Sequence, residues 1–335
     1  MTPFDALDGI SHAELARAER DGLLKLSRWA RRRVPFYRGL PELESPERLQ
    51  QVACLTKDDV ARHGPAGSME LLAGPLRRAV VFQSGGTTGN PKYAAYSHRD
   101  YRRLCRTTGR TLWAPGLRSE DRCANMFAVG ELYASFLTIH RGLEEVGAAS
   151  FPFTFHAPQD QVYEALPRFR INTVMGLATQ MVRLCDRVLQ EGRPDIRIRK
   201  LFYAAEHLYP EDRQRLQEEL QLEVIATAGY GAVDVGMIGY QCPSCPGSVH
   251  HVLGGSVVLE ILDEAGNVLR EPGASGQLVV TSLERYLQPV VRYRVGDLGR
   301  WVEGDCPCGR ASPRFELLGR GDDTLRIGYE TVTLE

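Results

Sequence analysis

Val80-Val81-Phe82-Gln83-Ser84-Gly85-Gly86-Thr87-Thr88-Gly89-Asn90-Pro91-Lys92 is the stretch on which the reading of this chain turns. An apolar run with the character of a buried strand feeds a loop of glycines and hydroxyls, closed by Pro91 and Lys92. Glycines let backbone N–H groups approach a polyanion, the two threonines add donors, and the lysine adds positive charge. That is the chemistry of a phosphate cradle. It is not a Walker loop, where Lys follows the last glycine directly and Ser or Thr comes next. Here Lys92 stands three residues past Gly89 and Tyr93 follows it.

The bulk properties narrow the class. The 335 residues are enough for one large core or two subdomains. Charge is nearly balanced, 41 Lys+Arg against 42 Asp+Glu, and basic patches such as Arg31-Arg32-Arg33 are short, so no nucleic-acid partner is expected. No run approaches the roughly 18 apolar residues of a membrane span, and the N-terminus lacks an apolar signal core. These features predict a cytoplasmic protein with no membrane partner.

Working outward from the loop, Ser11-x-x-Glu14 is a capping box, and Leu15, Leu23, Leu26 and Trp29 recur at near-helical spacing. One helix is expected over 11–33, ended by Val34-Pro35. Strands are then expected at 79–83, 123–128, 147–153, 172–176, 200–205 and 222–227, alternating with helices at about 98–109, 131–146, 160–168, 177–191 and 209–220. That rhythm predicts α/β architecture with a mostly parallel sheet. After about 235 the pattern changes. Residues 257–262, a turn at Asp263–Asn267 and residues 276–281 read as antiparallel strands of a smaller β-rich subdomain.

Ser84-Gly85-Gly86-Thr87-Thr88-Gly89-x-Pro91-Lys92 resembles the phosphate loop of adenylate-forming enzymes, the superfamily of acyl-CoA synthetases and nonribosomal adenylation domains. Further segments follow in that superfamily's order. Ala204-Ala205-Glu206 is similar to a segment that packs on adenine. Tyr230-Gly231-Ala232-Val233-Asp234 is similar to Tyr-Gly-x-Thr-Glu, whose Tyr stacks on adenine and whose acid holds Mg²⁺. Val233 replaces the usual Thr, and Asp234 is one methylene shorter than Glu, yet still a hard oxygen ligand. Arg292-Tyr293-Arg294-Val295-Gly296-Asp297-Leu298 resembles the segment whose Asp accepts from both ribose hydroxyls. Gly319-Arg320-Gly321-Asp322-Asp323 resembles the hinge before a mobile C-terminal domain. Val34-Pro35-Phe36-Tyr37, Leu55-Thr56-Lys57-Asp58-Asp59 and Cys306-Pro307-Cys308-Gly309-Arg310 point to the phenylacetate-CoA ligase-like branch.

Of the eight cysteines, Cys54, Cys105, Cys123 and Cys185 are scattered and read as small packed side chains. Cys242, Cys245, Cys306 and Cys308 form two close pairs in Pro/Gly turns. Some members of the branch hold a structural zinc between such pairs, which implies four ligands drawn from these cysteines and His251, with His250 as a substitute. Soft thiolates in a tetrahedral array suit Zn²⁺.

The resemblance implies the following assignments. Residues 1–78 form a helical segment packed on the core, 79–235 the α/β nucleotide- and acyl-binding core, 236–320 the β-rich subdomain with the zinc site, and 321–335 the hinge and the start of a C-terminal domain expected to be mostly absent from this sequence. Thr87, Thr88, Lys92 and Arg320 are the expected catalytic residues. Ser84, Gly85, Gly86, Gly89, Ala205, Glu206, Tyr230, Gly231 and Asp297 are expected to bind nucleotide, with Asp234 on Mg²⁺. Phe127, Glu131 and Tyr133 are expected near the acyl pocket, with Glu131 beginning a helix. The implied activity is ATP-dependent activation of a carboxylic acid, an aromatic one by preference, to acyl-AMP, followed by transfer to CoA. Transfer to a carrier protein or an amine, and a non-catalytic nucleotide- or acyl-AMP-binding scaffold, stay open beside it, as does a homodimer.

Overall fold

The computed structural model describes residue 4, residues 10–84 and 92–321, and the backbone of 324–327 and 330–333. The first long helix is His12–Arg33, and its start is the expected one: Ser11 accepts from the Glu14 amide, and Glu14 returns a bond to the Ser11 amide at 2.9 Å. Leu15, Leu23, Leu26 and Ala30 form its buried face. Each buried leucine contributes about 1.5–3 kcal/mol.

The parallel sheet comprises β3 (Arg122–Asn125), β4 (Ala149–Pro152), β5 (Thr173–Gly176), β6 (Lys200–Tyr203) and β7 (Val224–Thr227) in the order β4-β3-β5-β6-β7. Alternate residues face opposite ways. Ala124, Val174, Leu201 and Ile225 pack with Val162 and Leu166 of helix Gln159–Arg168 and with Met181 and Leu184 of helix Ala178–Glu191. Cys123, Met175, Phe202 and Ala226 point the other way, into a core shared with helices His98–Trp113 and Ser135–Val146 and with the antiparallel sheet.

That second sheet is formed by β8 (Tyr230–Ala232), β9 (Gly236–Tyr240), β10 (Val249–Val252), β11 (Val257–Leu262), β12 (Ser275–Ser282), β13 (Tyr293–Val302) and β14 (Arg314–Arg320), in the order β11-β12-β13-β14-β10-β9-β8. The Asp263 turn closes as expected, Asn267 donating its amide to Asp263 Oδ1 at 2.7 Å. Its first strand, Tyr230–Ala232, lies ahead of position 236.

Two expectations are corrected. Ala79–Ser84 (β1) does not join the parallel sheet; it pairs antiparallel with Lys92–Ser97 (β2), Phe82 against Ala94 and Ser84 against Lys92. The strands on either side of the phosphate-loop segment are therefore antiparallel partners. The alanines of Lys92-Tyr-Ala-Ala-Tyr-Ser97, poor strand formers alone, hid the second strand, and cross-strand packing against Val80 and Phe82 supplies what propensity does not. Nor does Glu131 begin a helix. Gly130, Glu131 and Leu132 have φ of +92°, +47° and +61°, which no right-handed helix accommodates, so the helix starts at Ser135. Among the described residues no helix is long and apolar enough to cross a membrane.

Candidate active site and metal cluster

Gly85, Gly86, Thr87, Thr88 and Gly89 lie outside the described residues. Their flanks are fixed: Ser84 is buried and its hydroxyl donates to the Lys92 carbonyl at 3.4 Å. Lys92 Nζ lies 2.9 Å from Asp234 Oδ2 and 3.2 Å from the Tyr293 hydroxyl, which itself donates to Asp234 Oδ2 at 2.8 Å. Close by in sequence, the Tyr230 hydroxyl donates to Asp297 Oδ2 at 2.6 Å, and Arg320 Nη1 donates to Asp297 Oδ1 at 3.2 Å.

The two segments are thus crossed. Tyr230…Asp234 and Tyr293…Asp297 have the same Tyr-x-x-x-Asp spacing, and each tyrosine serves the other segment's aspartate. Burial first, and the facing carboxylate second, push both phenols well above their ordinary pKa, so both hydroxyls remain donors. Sequence reasoning missed Tyr293's part, although the equal spacing was there to see.

Backbone detail holds these groups in place. Leu55 clasps β13, its amide donating to the Arg292 carbonyl at 2.9 Å and its carbonyl accepting from Arg294 at 3.0 Å. Lys57, in the next turn, closes over Gly296: a Cβ on Gly296 would fall 2.7 Å from Lys57 Nζ, and its φ of +91° is a glycine conformation. Arg292, at φ +54°, is anchored by Glu260, which accepts from Nε and Nη2 at 3.0 Å. Both side chains are buried, and the sequence alone had not paired them.

The remaining candidates are more dispersed. Ala205, at φ +70°, and Glu206 follow β6, and the Glu206 carboxylate accepts from the Thr179 amide at 2.9 Å and its hydroxyl at 2.7 Å. Gly231 lies within β8. Phe127 is buried in the main core, Glu131 is exposed on the turn, and Tyr133 is half-buried.

Asp234 has one oxygen to offer a hard cation. Its Oδ2 is shared by Lys92 and Tyr293, while Oδ1 is buried without a hydrogen-bond partner among the described residues. An acceptor-only oxygen left in this way fits a Mg²⁺ ligand.

On the far side of β10, the ligand atoms of Cys242, His251, Cys306 and Cys308 all lie within 4.8 Å of one another. Cys242 Sγ is 3.6 Å from Cys306 Sγ, and Cys308 Sγ is 3.4 Å from His251 Nε2. A tetrahedral zinc with its usual bond lengths needs S···S edges of about 3.8 Å and S···N edges of about 3.6 Å. The donors fit. Cys245 stands beside the set, its Sγ 3.5 Å from that of Cys242; the hydrogen bond between them lowers the Cys245 pKa and raises that of Cys242. His251 Nδ1 donates to the Ser312 carbonyl at 3.0 Å, which turns Nε2 toward the sulfurs. Cys105, Cys123 and Cys185 are buried and Cys54 half-buried, as expected of packing residues.

Residues 35–284 match the AMP-binding enzyme family. The chain belongs to this family. Phenylacetate-coenzyme A ligase of Thermus thermophilus is 27% identical to this AMP-binding enzyme over 335 residues, covering 96% of this chain and 74% of that one. The ligase of the same name from Escherichia coli K12 is 24% identical over 338 residues, covering 97% and 76%. The crystal structure of 2-hydroxyisobutyryl-CoA ligase in complex with 2-HIB-AMP and CoA aligns with a TM-score of 0.86 at 25% identity, over 98% of this chain and 72% of that one. The adenylate-forming, phenylacetate-CoA ligase-like resemblance read from the sequence is borne out.

Proposed function

We propose that this AMP-binding enzyme activates a carboxylic acid with ATP and passes the acyl group to coenzyme A. The carboxylate oxygen attacks the α-phosphorus, the bond to pyrophosphate breaks, and acyl-AMP is left. The CoA sulfur then displaces AMP, with loss of the thiol proton. The observation that carries this reading is the crossed Tyr–Asp arrangement beside the flanks of the phosphate loop.

Asp297 would accept from the ribose hydroxyls, giving up the Tyr230 or Arg320 bond to do so. Tyr230 would offer its ring to adenine. Thr87, Thr88, Gly89 and Lys92 would meet the phosphates, with Ser84, Gly85 and Gly86 shaping the cradle. Arg320 would neutralise phosphate charge, and Ala205, Glu206 and Gly231 would frame the base. Asp234 would present Oδ1 to Mg²⁺, which supplies further charge neutralisation when bound. Most of the acceleration would come from positioning and preorganised charge.

An aromatic acid is the substrate class best supported, since ligases named for phenylacetate are similar over nearly the whole chain. Phe127, Glu131 and Tyr133 would flank the acyl pocket, and the chain would divide as 1–78, 79–235, 236–320 and 321–335. The test is ATP- and acid-dependent pyrophosphate release, with hydroxylamine trapping of the acyl-AMP, over phenylacetate, other aryl acids and 2-hydroxyisobutyrate. Release with an aryl acid is expected. Tight AMP binding with no release for any acid would leave only a nucleotide-binding scaffold.

A further inference from the structure

Gln241 and His250 are direct neighbours in sequence of two cluster residues, Cys242 and His251, and each is 2% exposed. Both reach Thr227, the last residue of β7. Gln241 Oε1 accepts from the Thr227 amide at 2.8 Å, while its Nε2 donates to the Gly247 carbonyl at 2.7 Å, in the loop that leads from Cys245 to β10. His250 Nδ1 lies 2.8 Å from the Ser248 carbonyl and must donate to it, so Nε2 is the acceptor for the Thr227 hydroxyl at 3.1 Å. The His250 ring also packs on Tyr230, with centroids 6.0 Å apart. From Thr227 the chain runs through Ala228 and Gly229 straight to Tyr230.

Successive strand residues face opposite sides. His251 therefore points to the thiols and His250 to the Tyr230 side of the same strand, and both are held in a close-packed core that does not absorb small displacements. We infer that Gln241 and His250 are positioning residues that link the Cys242–His251–Cys306–Cys308 cluster to Tyr230 through Thr227, so that metal binding at the cluster tightens nucleotide binding. The inference rests on the nucleotide reading above. Closing the four donors on one ion fixes the end of β9 against β10. The two hydrogen bonds to Thr227, steep functions of geometry, then set where Tyr230 begins.

The experiment uses the full chain stripped of metal, with Zn²⁺ alone and AMP alone as probes. AMP affinity is measured by calorimetry with and without Zn²⁺, and Zn²⁺ affinity by competition with a chromophoric chelator, with and without AMP. Zn²⁺ is expected to tighten AMP about 5–10-fold, and AMP to tighten Zn²⁺ by the same factor, because such coupling is reciprocal. Thr227→Val keeps a β-branched residue and the backbone bond but loses the hydroxyl; Gln241→Met keeps the volume. Each should bring the factor toward one while Zn²⁺ still binds, a change that lost stability alone does not produce. A single AMP affinity with and without bound Zn²⁺, an undiminished factor in both variants, or no Zn²⁺ binding overturns the inference. Absence of AMP binding in every state overturns the nucleotide reading and the inference with it.

Discussion

The Tyr293 hydroxyl donates to Asp234 Oδ2 across 2.8 Å, inside a triangle completed by Lys92 Nζ. The Asp234 side chain is 4% exposed and that of Lys92 13%, so each charge depends on the other rather than on water. Breaking a buried pair by removing one partner strands the remaining charge, at about 3–5 kcal/mol. Lys92→Met is expected to lower the unfolding free energy by about that much. Lys92→Met with Asp234→Asn should recover a large part of it. Urea denaturation of the two variants decides; a double variant no more stable than the single one would show that Asp234 is not held by Lys92.

Asp297 accepts from Tyr230 and Arg320 on different oxygens. If the same oxygens take the ribose hydroxyls, Asp297→Asn replaces one acceptor by a donor. The loss of one charge-assisted bond, about 1.5–3 kcal/mol, should weaken AMP about ten- to hundredfold. The wild-type chain should lose a similar factor with 2′-deoxy-AMP, and the variant should show little further loss with it. Calorimetry checks both. Equal affinity of the variant and the wild type for AMP would remove the ribose assignment.

What could be read from the sequence was local or periodic. The helix His12–Arg33 announced itself by a capping box and an apolar stripe, and β5 and β6 by short buried runs between helices. The strand Lys92–Ser97 did not, because its alanines carry no strand preference and its pairing with β1 is decided across the loop. The same limit explains the site. Asp234 and Asp297 were legible as acids at characteristic spacings, but their tyrosine partners lie 59 and 67 residues away. The Glu260–Arg292 pair, 32 residues apart, and the convergence of Gln241 and His250 on Thr227 are tertiary facts with no local signature.

Glu19 lies on the first helix, half-buried, and burial pushes its carboxyl up to about 7. A carboxyl whose folded pKa exceeds its unfolded value binds more protons when folded. Its contribution is fully present below the unfolded value near 4.5 and is lost as pH rises toward 7. Each pH unit crossed costs about 1.4 kcal/mol. Glu19→Gln should therefore stabilise the chain at pH 8 and change little at pH 4. Thermal melts of both proteins across that range test it; parallel pH profiles would mean that Glu19 is solvated.

The metal cluster gives a prediction that separates its five candidate residues. Cys242, His251, Cys306 and Cys308 place one donor atom each within 4.8 Å of the others, a set to which Cys245 does not belong. One Zn²⁺ per chain is expected, bound with release of protons, since thiolate ligation requires deprotonation. Cys245 contacts the Cys242 sulfur from outside the set, as an outer partner does, and such partners are worth about 10–100-fold in affinity. Cys245→Ser should therefore keep one zinc per chain with affinity reduced within that range. Cys306→Ser should lose far more, leaving less than one zinc per chain after dialysis. At 1,000 times its Kd the ion adds about 4 kcal/mol of stability, so chelation should lower the melting temperature of the wild type and of Cys245→Ser, and leave Cys306→Ser almost unmoved. Elemental analysis paired with melting curves reads all of this. Zinc retained by Cys306→Ser and lost by Cys245→Ser would place Cys245 in the tetrahedron in its stead.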